Sequence, residues 1–237
     1  MEQIRISAKN LGQVGLEDFC PRCYWINLKS KNLPWQIFPG IFSSIDAYTK
    51  RVTHAIIDGK EQYKHLMGPK WLAELGDIVA YRKTPHWSKF TTDIQQYGIT
   101  LTGVVDDILV ARSGDIIIPD YKTAKYTANQ DKLLPMYQIQ LNGYAVIAEA
   151  REISPVTDLY LVYFEPITDD EAATKYKTEK GFDMAFKAYP VCVAIDRAQL
   201  NVAMETTRTI YDMVDPPDPK GDCKDCQALI GIQNILR

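Results

Sequence analysis

The sequence of 237 residues lacks a long hydrophobic run, because no stretch approaches the roughly 20 consecutive apolar residues of a membrane-spanning helix. It also lacks an apolar segment behind a basic amino terminus, which is the pattern of a secretory signal. Internal repeats, low-complexity tracts and the P-loop pattern Gly-x-x-x-x-Gly-Lys-Ser/Thr are missing as well. We therefore expect a cytoplasmic protein without membrane contact and without an internal P-loop motor.

Charge of one sign is also not in excess, since 27 Lys and Arg face 30 Asp and Glu for a net charge of -3. A nucleic-acid site would therefore have to be a local basic patch on a weakly acidic protein. The composition, 46% hydrophobic and 24% charged, is that of an ordinary globular protein and excludes disorder and fibrous folds. We expect one domain spanning residues 1–237.

Cysteine is scarce, with five residues, yet four of them form two C-x-x-C pairs, Cys20 with Cys23 and Cys223 with Cys226. Disulfides are disfavoured in a reducing cytoplasm, so four thiolates indicate a bound metal. Because the pairs lie near opposite ends of the chain, such a site would clasp the two terminal segments together. A redox role for the first pair and unliganded structural cysteines are the alternatives. Cys192 lies in an apolar run and is expected to be a buried non-ligand.

Hydrophobic periodicity predicts an α/β protein in which helices flank a central mixed β-sheet. The predicted helices cover residues 8–28, 45–57, 131–150 and 197–213, with a loop over 29–40. The predicted strands cover residues 99–112, 115–122, 157–165 and 189–195. The first two strands flank Ser113-Gly114 and should form a hairpin. His54 is expected at the surface or the rim.

Acidic residues interrupt this apolar hairpin: Asp106 and Asp107 on its first strand and Asp120 on its second. Carboxylates within strands are costly unless they are compensated, and a divalent cation is a common compensation. Asp120 and Lys122 are two residues apart and therefore point to the same face of a strand. The sequence thus favours a metal-binding carboxylate beside an ammonium group, although an exposed hairpin end with solvated acids would show the same pattern.

The length of the hairpin loop decides which aspartate joins Asp120. A two-residue turn would place Asp107 opposite Asp120, whereas a three-residue loop would place Asp106 opposite Asp120 or Lys122. The local pattern leaves both registers open.

Three segments in order, Gly103–Asp106, Pro119–Thr123 and Tyr137–Tyr144, resemble motifs II, III and IV of the PD-(D/E)XK nuclease superfamily. The branch they are most similar to contains RecB-type nucleases and CRISPR adaptation exonucleases. Cys20–Trp25 also looks like the cysteine segment that precedes the fold in that branch. The resemblance implies a restriction-endonuclease-like core.

The resemblance also implies a set of site residues and favours Asp106 over Asp107. It assigns Asp106, Asp120 and the carbonyl of Tyr121 to a metal ion, and Lys122 to the scissile phosphate. Gln140 and Tyr144, four residues apart, would share one helix face toward the site; a helix face packed into the core is the alternative. RecB-like members carry a Gly-x-x-x-His segment, but here Ser44 stands at that spacing after Gly40. Asp46 is our candidate for the third ligand, with an ordinary surface acid as the alternative.

The chemistry implied is phosphodiester hydrolysis of DNA with Mg²⁺ or Mn²⁺. We expect a deoxyribonuclease, most simply an exonuclease in DNA repair, recombination or phage DNA processing, which could depend on a helicase or recombination partner. The alternative is a non-catalytic nucleic-acid-binding or assembly module with a structural Cys₄ metal site. For the four cysteines we favour Zn²⁺, with a [4Fe–4S] cluster as the alternative.

Overall fold

The computed structural model describes residues 2–30, 39–59, 69–127 and 132–235. The helices in these ranges are α1 Ala8–Gly12, α2 Pro21–Lys29, α3 Gly40–Ile57, α4 Lys70–Ala73, α5 Leu134–Ala150, α6 Asp170–Lys175, α7 Arg197–Asp212 and α8 Lys224–Ile235. The strands are β1 Ile4–Ser7, β2 Ile78–Tyr81, β3 Thr91–Ile94, β4 Ile99–Thr102, β5 Leu109–Ala111, β6 Ile116–Lys122, β7 Val156–Pro166, β8 Lys177–Thr178, β9 Gly181–Phe182 and β10 Phe186–Val193.

The strands form two mixed sheets and one short hairpin. The larger sheet has the order β10-β7-β6-β5-β2, in which β6 and β7 are parallel and the other neighbours are antiparallel. The smaller sheet has the order β1-β4-β3, with β1 parallel and β3 antiparallel to β4. Helices pack against both sheets, which confirms the predicted α/β fold with a mixed sheet flanked by helices.

Strand β6 lies in the middle of the larger sheet, and its first six residues are buried. Burial on both faces is typical of a strand with a parallel neighbour in a covered sheet, and the run Ile116-Ile-Ile provides the apolar surface. The strand ends with Asp120, Tyr121 and Lys122, so its last residues place two charged side chains at the edge of the buried core.

Helix α5 packs against strands of both sheets and against α1. Ten of its residues are buried, which exceeds the single apolar stripe of a surface helix. A methyl group at Gly143 would lie 2.8 Å from the Cβ of Ala8, so glycine is needed there for α5 to approach α1.

The predicted strand over 99–112 is wrong as a continuous element. It divides into β4, which belongs to the smaller sheet, and β5, which belongs to the larger one. Residues 103–108 connect the two without forming a strand. Val110 pairs with Ile116, so the β5–β6 hairpin has the three-residue loop, and the same register continued would place Asp106 opposite Asp120. The aspartates leave the ladder because their carboxylates bind groups of β6 and α3, as described below.

The other differences concern helix boundaries. The helix predicted over 8–28 is broken into α1, a 3₁₀ turn over Gln13–Gly15 and α2, since Pro21 forces an extended Cys20 before it. Helix α3 begins at Gly40, earlier than predicted, and residues 31–38 of the predicted loop lie outside the described residues. The helix predicted over 131–150 is confirmed from Leu134 onward as α5, residue 131 lying outside the described ranges. The later helix and both later strands are confirmed as α7, β7 and β10.

Candidate active site

A cleft of about 790 Å³ opens where α3, the 103–108 segment, the end of β6 and α5 meet. It is lined by all of the residues that the sequence predicted for the catalytic site, namely Asp46, Asp106, Asp120, Tyr121, Lys122, Gln140 and Tyr144. Residues far apart in the chain are therefore brought to one surface by the order of elements around β6.

Asp106 reaches this cleft from the segment between the two sheets. The backbone N–H of Tyr121 donates a 2.8 Å hydrogen bond to its Oδ2, which fixes the carboxylate against the end of β6. Burial, together with the nearby negative charge of Asp120, raises the pKa of Asp106 to about 7. A carboxyl group with this pKa is only partly ionised at neutral pH, and a bound cation would favour its ionised form.

Asp120 and Lys122 lie on one face of β6, as the strand period predicts. Asp120 is only 3% exposed, its Oδ2 forms an ion pair with the Lys122 ammonium, and its Oδ1 accepts a 3.0 Å hydrogen bond from Gln140 Nε2. Burial opposes the charged form of Lys122, but the negative charge of Asp120 outweighs it and raises the pKa of the ammonium. The same ammonium lies 4.2 Å from the ring centroid of Tyr137, a cation–π contact.

Gln140 and Tyr144 occupy adjacent turns of α5 and both face the cleft. Gln140 Nε2 also lies 2.8 Å from the Tyr144 hydroxyl oxygen, to which it donates. The side-chain carbonyl oxygen of Gln140 is buried and has no hydrogen-bond partner among the residues the structure describes. The Tyr144 ring covers Gly103, where a methyl group would lie 2.7 Å from Tyr144 Cε1. This contact explains the glycine of the Gly-x-x-Asp segment.

Helix α3 contributes Asp46 and Lys50, which are one turn apart. The Lys50 ammonium lies 3.2 Å from Asp46 Oδ2 and 3.4 Å from Asp106 Oδ1, so it joins the two carboxylates. Burial opposes its charge, yet Asp106 and Asp46 together raise the pKa of Lys50. Asp46 is thus connected to Asp106 by the ammonium of Lys50, and the three side chains form a cluster of mixed charge.

The donor set fits a hard divalent cation. Mg²⁺ and Mn²⁺ prefer carboxylate and carbonyl oxygens. The cleft is lined by the carboxylates of Asp106 and Asp120 and by Tyr121, whose backbone carbonyl is the third candidate ligand. With all three aspartates ionised, Asp46, Asp106 and Asp120 outnumber the two lysines, which leaves the cluster negative. A cation would also relieve the cost of holding Asp106 and Asp120 close together in a buried place.

Sequence reasoning missed two features of this region. Lys50 was recognisable only as an i, i+4 neighbour of Asp46 on α3. The second is the contact made by His54, which lies at the rim as expected but has its Nε2 2.9 and 3.1 Å from the two carboxylate oxygens of Asp107. The sequence did hold a signal for a partner of Asp107. Adjacent side chains in extended backbone point to opposite sides, so if Asp106 faces the cleft, Asp107 must face away from it and needs another partner.

A second candidate site is formed by the four cysteines of the two C-x-x-C pairs. Their sulfur atoms all lie within 4.8 Å of one another, with distances of 3.7 Å from Cys20 to Cys226, 3.6 Å from Cys23 to Cys223 and 3.4 Å from Cys23 to Cys226. These separations are too long for a disulfide bond. Among the described residues, this is the one such cluster of three or more His, Cys, Asp or Glu ligand atoms.

The cluster lies at the start of α2 and the start of α8. Burial opposes ionisation of Cys20, but the backbone N–H groups of Cys23 and Lys220 outweigh it and lower the pKa of this thiol to about 6. Thiolate is the form that binds metal. Cys192 lies outside the cluster and is exposed, so its predicted burial is wrong; it lies on β10, an edge strand of the larger sheet.

No helix in the described ranges is long and apolar enough to cross a membrane.

Comparison with known proteins identifies the class to which this fold and cleft belong. A family model described as the PD-(D/E)XK nuclease superfamily matches residues 44–229, and the chain belongs to this superfamily. Among solved structures, the chain is similar to the one described as the crystal structure of SSO0001, with a TM-score of 0.41 and 17% identity, covering 90% of this chain and 78% of that one. A search of curated proteins gave no match.

Proposed function

We propose that this protein is a Mg²⁺- or Mn²⁺-dependent deoxyribonuclease that hydrolyses phosphodiester bonds. The observation that carries the proposal is that a partly buried carboxylate, Asp106, and a buried one, Asp120, share an open cleft with the Lys122 ammonium. Membership of the PD-(D/E)XK superfamily supports the same reaction.

In this proposal Asp106, Asp120 and the backbone carbonyl of Tyr121 hold the metal ion. The ion, when bound, supplies an activated water and charge stabilisation for the phosphate. Lys122 adds a positive charge where negative charge develops on the scissile phosphate. Gln140 holds Asp120 in place through its 3.0 Å hydrogen bond.

Binding of the nucleic acid backbone is assigned to cations on the same surface. Lys9 and Lys125 line the cleft together with Lys122, so a phosphate chain entering it meets several positive charges. Because the net charge of the chain is -3, these three lysines, and not the overall charge, would attract the DNA backbone.

The direct test is cleavage of labelled linear single-stranded, linear duplex and circular DNA with Mg²⁺, Mn²⁺ or EDTA. Asp120→Asn and Lys122→Met should each lower cleavage by at least about 100-fold. The matched controls Asp183→Asn and Lys177→Met alter exposed residues of the same types and should cleave normally. Equal cleavage by Asp120→Asn and its control would refute the assignment.

We further propose exonuclease action in DNA repair, recombination or phage DNA processing, on the basis of the resemblance to RecB-type nucleases. Degradation of linear DNA with sparing of circles would support it, whereas cutting of circles would favour an endonuclease. A helicase or recombination partner is proposed because the sequence contains no P-loop motif of its own. Addition of such a partner should stimulate degradation of long duplexes.

For the cysteine cluster we propose a structural Zn²⁺ that joins the two terminal segments into one domain spanning residues 1–237. Zn–S bonds of about 2.3 Å in a tetrahedron place ligand sulfurs about 3.8 Å apart. The distances of 3.4 to 3.7 Å are close to this value. A [4Fe–4S] cluster, the alternative, needs wider spacing because iron and sulfide lie among the sulfurs. Anaerobic purification with metal and sulfide analysis distinguishes the two.

The cysteine cluster also supports the second candidate function, a non-catalytic nucleic-acid-binding or assembly module. In that case the cysteine metal would be the functional part and the cleft acids would be incidental. The two candidates differ in one measurement, since only the nuclease requires a divalent ion at Asp106 and Asp120.

A further inference from the structure

Beside the proposed metal site lies a carboxylate that the reaction does not use. Asp107 is fully buried, at 0% exposure. It accepts hydrogen bonds from His54 Nε2 at 2.9 and 3.1 Å, from the backbone N–H of Ile108 at 3.0 Å and from the Tyr121 hydroxyl at 3.1 Å. Because a carboxylate can only accept, the His54 Nε2 carries the proton. A buried acid with this many donors is held in one orientation.

Asp106 and Asp107 are neighbours in the chain, yet both bind Tyr121. Asp106 accepts the backbone N–H of Tyr121 at 2.8 Å, and Asp107 accepts its side-chain hydroxyl. Tyr121 is therefore fixed at its backbone and at the far end of its ring. Its backbone lies between Asp120 and Lys122, so the position of the whole end of β6 depends on both aspartates.

His54 connects the same carboxylate to α3, the helix that carries Asp46 and Lys50. Lys50 lies one turn before His54, and its ammonium binds Asp106. The first half of α3 is mostly solvent-exposed. The buried residues of the helix are Thr53 and Ala55, in its second half, on either side of His54. The His54 ring is stacked on Tyr81 with a centroid distance of 3.6 Å and an angle of 8°. Anchoring of α3 in the described structure is thus concentrated around His54.

We infer that Asp107 is a positioning residue of the divalent-metal site. It joins the end of β6, through Tyr121, to α3, through His54, and thereby sets the positions of the carboxylates that receive the ion. The inference rests on the proposed function in one respect, which is that the ion binds at Asp106 and Asp120. Groups behind metal ligands typically change metal affinity by about 10- to 100-fold when they are removed.

The test uses Mn²⁺ alone, without DNA, and measures its dissociation constant by titration with electron paramagnetic resonance of the free ion. Tyr121→Phe removes only the hydroxyl donor, and His54→Ala removes the link to α3. Each should weaken Mn²⁺ binding about 10-fold or more, and His54→Gln, which restores an N–H donor, should recover part of the loss. His86→Gln, at an exposed histidine, and Tyr176→Phe, at a half-buried tyrosine, serve as controls.

A general loss of structure would not give this pattern. At saturating Mn²⁺ the cleavage rate of His54→Ala should return to within about threefold of the wild-type rate, because the affinity and not the reaction is altered. Asp107→Asn is a further variant, but the inference does not depend on whether it folds. Folded Tyr121→Phe and His54→Ala proteins with unchanged Mn²⁺ affinity would overturn the inference.

The outcomes separate this inference from the proposed function. Weakened Mn²⁺ binding in the variants together with no DNA cleavage by the wild-type protein would leave the positioning role standing and refute the nuclease. Cleavage by the wild-type protein with unaltered metal affinity in the variants would do the reverse. A wild-type protein that binds no Mn²⁺ would refute both.

Discussion

The ammonium of Lys50 lies 3.4 Å from a carboxylate oxygen of Asp106, although one residue is on a helix and the other on the connection between two sheets. Lys50 therefore supplies positive charge to an acid that is otherwise destabilised by burial and by Asp120. In the proposed function a bound metal ion would act on the same carboxylate as the lysine, and substitution of Lys50 would separate the two contributions.

Replacing Lys50 with methionine should lower the stability of the metal-free protein by about 1–2 kcal/mol, because Asp106 loses a partly buried cation. Mn²⁺ should then stabilise the variant more than it stabilises the wild-type protein. Thermal denaturation in EDTA and in Mn²⁺ measures both effects, with Lys177→Met as the exposed control. Equal melting temperatures for Lys50→Met and the control in EDTA would contradict this role.

Metal binding should depend on pH through Asp106, whose pKa is raised to about 7. Below that pH a proton occupies the carboxylate, so the apparent affinity for Mn²⁺ should rise about tenfold per pH unit and level off above about pH 7. Titrations between about pH 5.5 and 8.5 measure this dependence. An affinity that is constant over this range would contradict competition between a proton and Mn²⁺ at Asp106 near pH 7.

The same pKa shift gives a stability change of opposite sign in the metal-free protein. The folded protein retains a proton on Asp106 that the unfolded chain, with the ordinary pKa of 3.8, has released. The contribution of this group is therefore present at low pH and is lost as the pH rises from about 4 to 7. Denaturant unfolding in EDTA measures the free energy of unfolding of the wild-type protein and of Asp106→Asn over this pH range. The wild-type protein should lose this contribution to stability as the pH rises, and the variant should not.

Substitution of Gly103 by alanine should displace the Tyr144 ring, because the added methyl group would lie 2.7 Å from it. We expect a loss of about 1–3 kcal/mol in stability and reduced cleavage, since the Tyr144 hydroxyl is bonded to Gln140. Gly40→Ala is the control, because nothing lies within 4 Å of its added methyl group. Denaturant unfolding and DNA cleavage test both variants, and a Gly103→Ala protein that matches the control would show that the cleft accommodates the methyl group.

Loss of the metal ion proposed for the cysteine cluster should destabilise the protein without changing the cleft. Cys23→Ser or Cys226→Ser should lower stability by about 2–5 kcal/mol, by analogy with a cross-link that closes a long loop. Cys192→Ser, at an exposed cysteine outside the cluster, should be neutral. Unfolding curves with parallel metal analysis make the comparison, and unchanged stability in a metal-free Cys226→Ser protein would remove the structural role.

Local patterns predicted much of the fold because the relevant elements are strongly periodic. The end of β6 was predictable, since alternation in a strand places Asp120 and Lys122 on one face whatever the rest of the chain does. The shared face of Gln140 and Tyr144 was predictable because residues four apart lie on one face of a helix, once the family resemblance indicated a helix in this segment. The gathering of the cysteines followed from the thiolate chemistry of paired C-x-x-C segments.

What local patterns could not predict depends on contacts between distant segments. The β-branched run before Asp106 favours a continuous strand, but the structure breaks it so that Asp106 and Asp107 can bind Tyr121 and His54. The interaction between Lys50 and Asp106 likewise exists only once α3 is packed beside the sheet. Tertiary contacts of this kind outweigh strand propensity over a few residues.

The connection over residues 103–108 has a consequence for the order in which the protein assembles. It leaves β4 in one sheet and enters β5 in the other, so its two ends are fixed only when both sheets exist. Until then Asp106 has no defined distance to Tyr121, however well either sheet has formed alone. The acidic cleft therefore requires both sheets, and a molecule in which only one sheet has formed would lack the geometry proposed for metal binding.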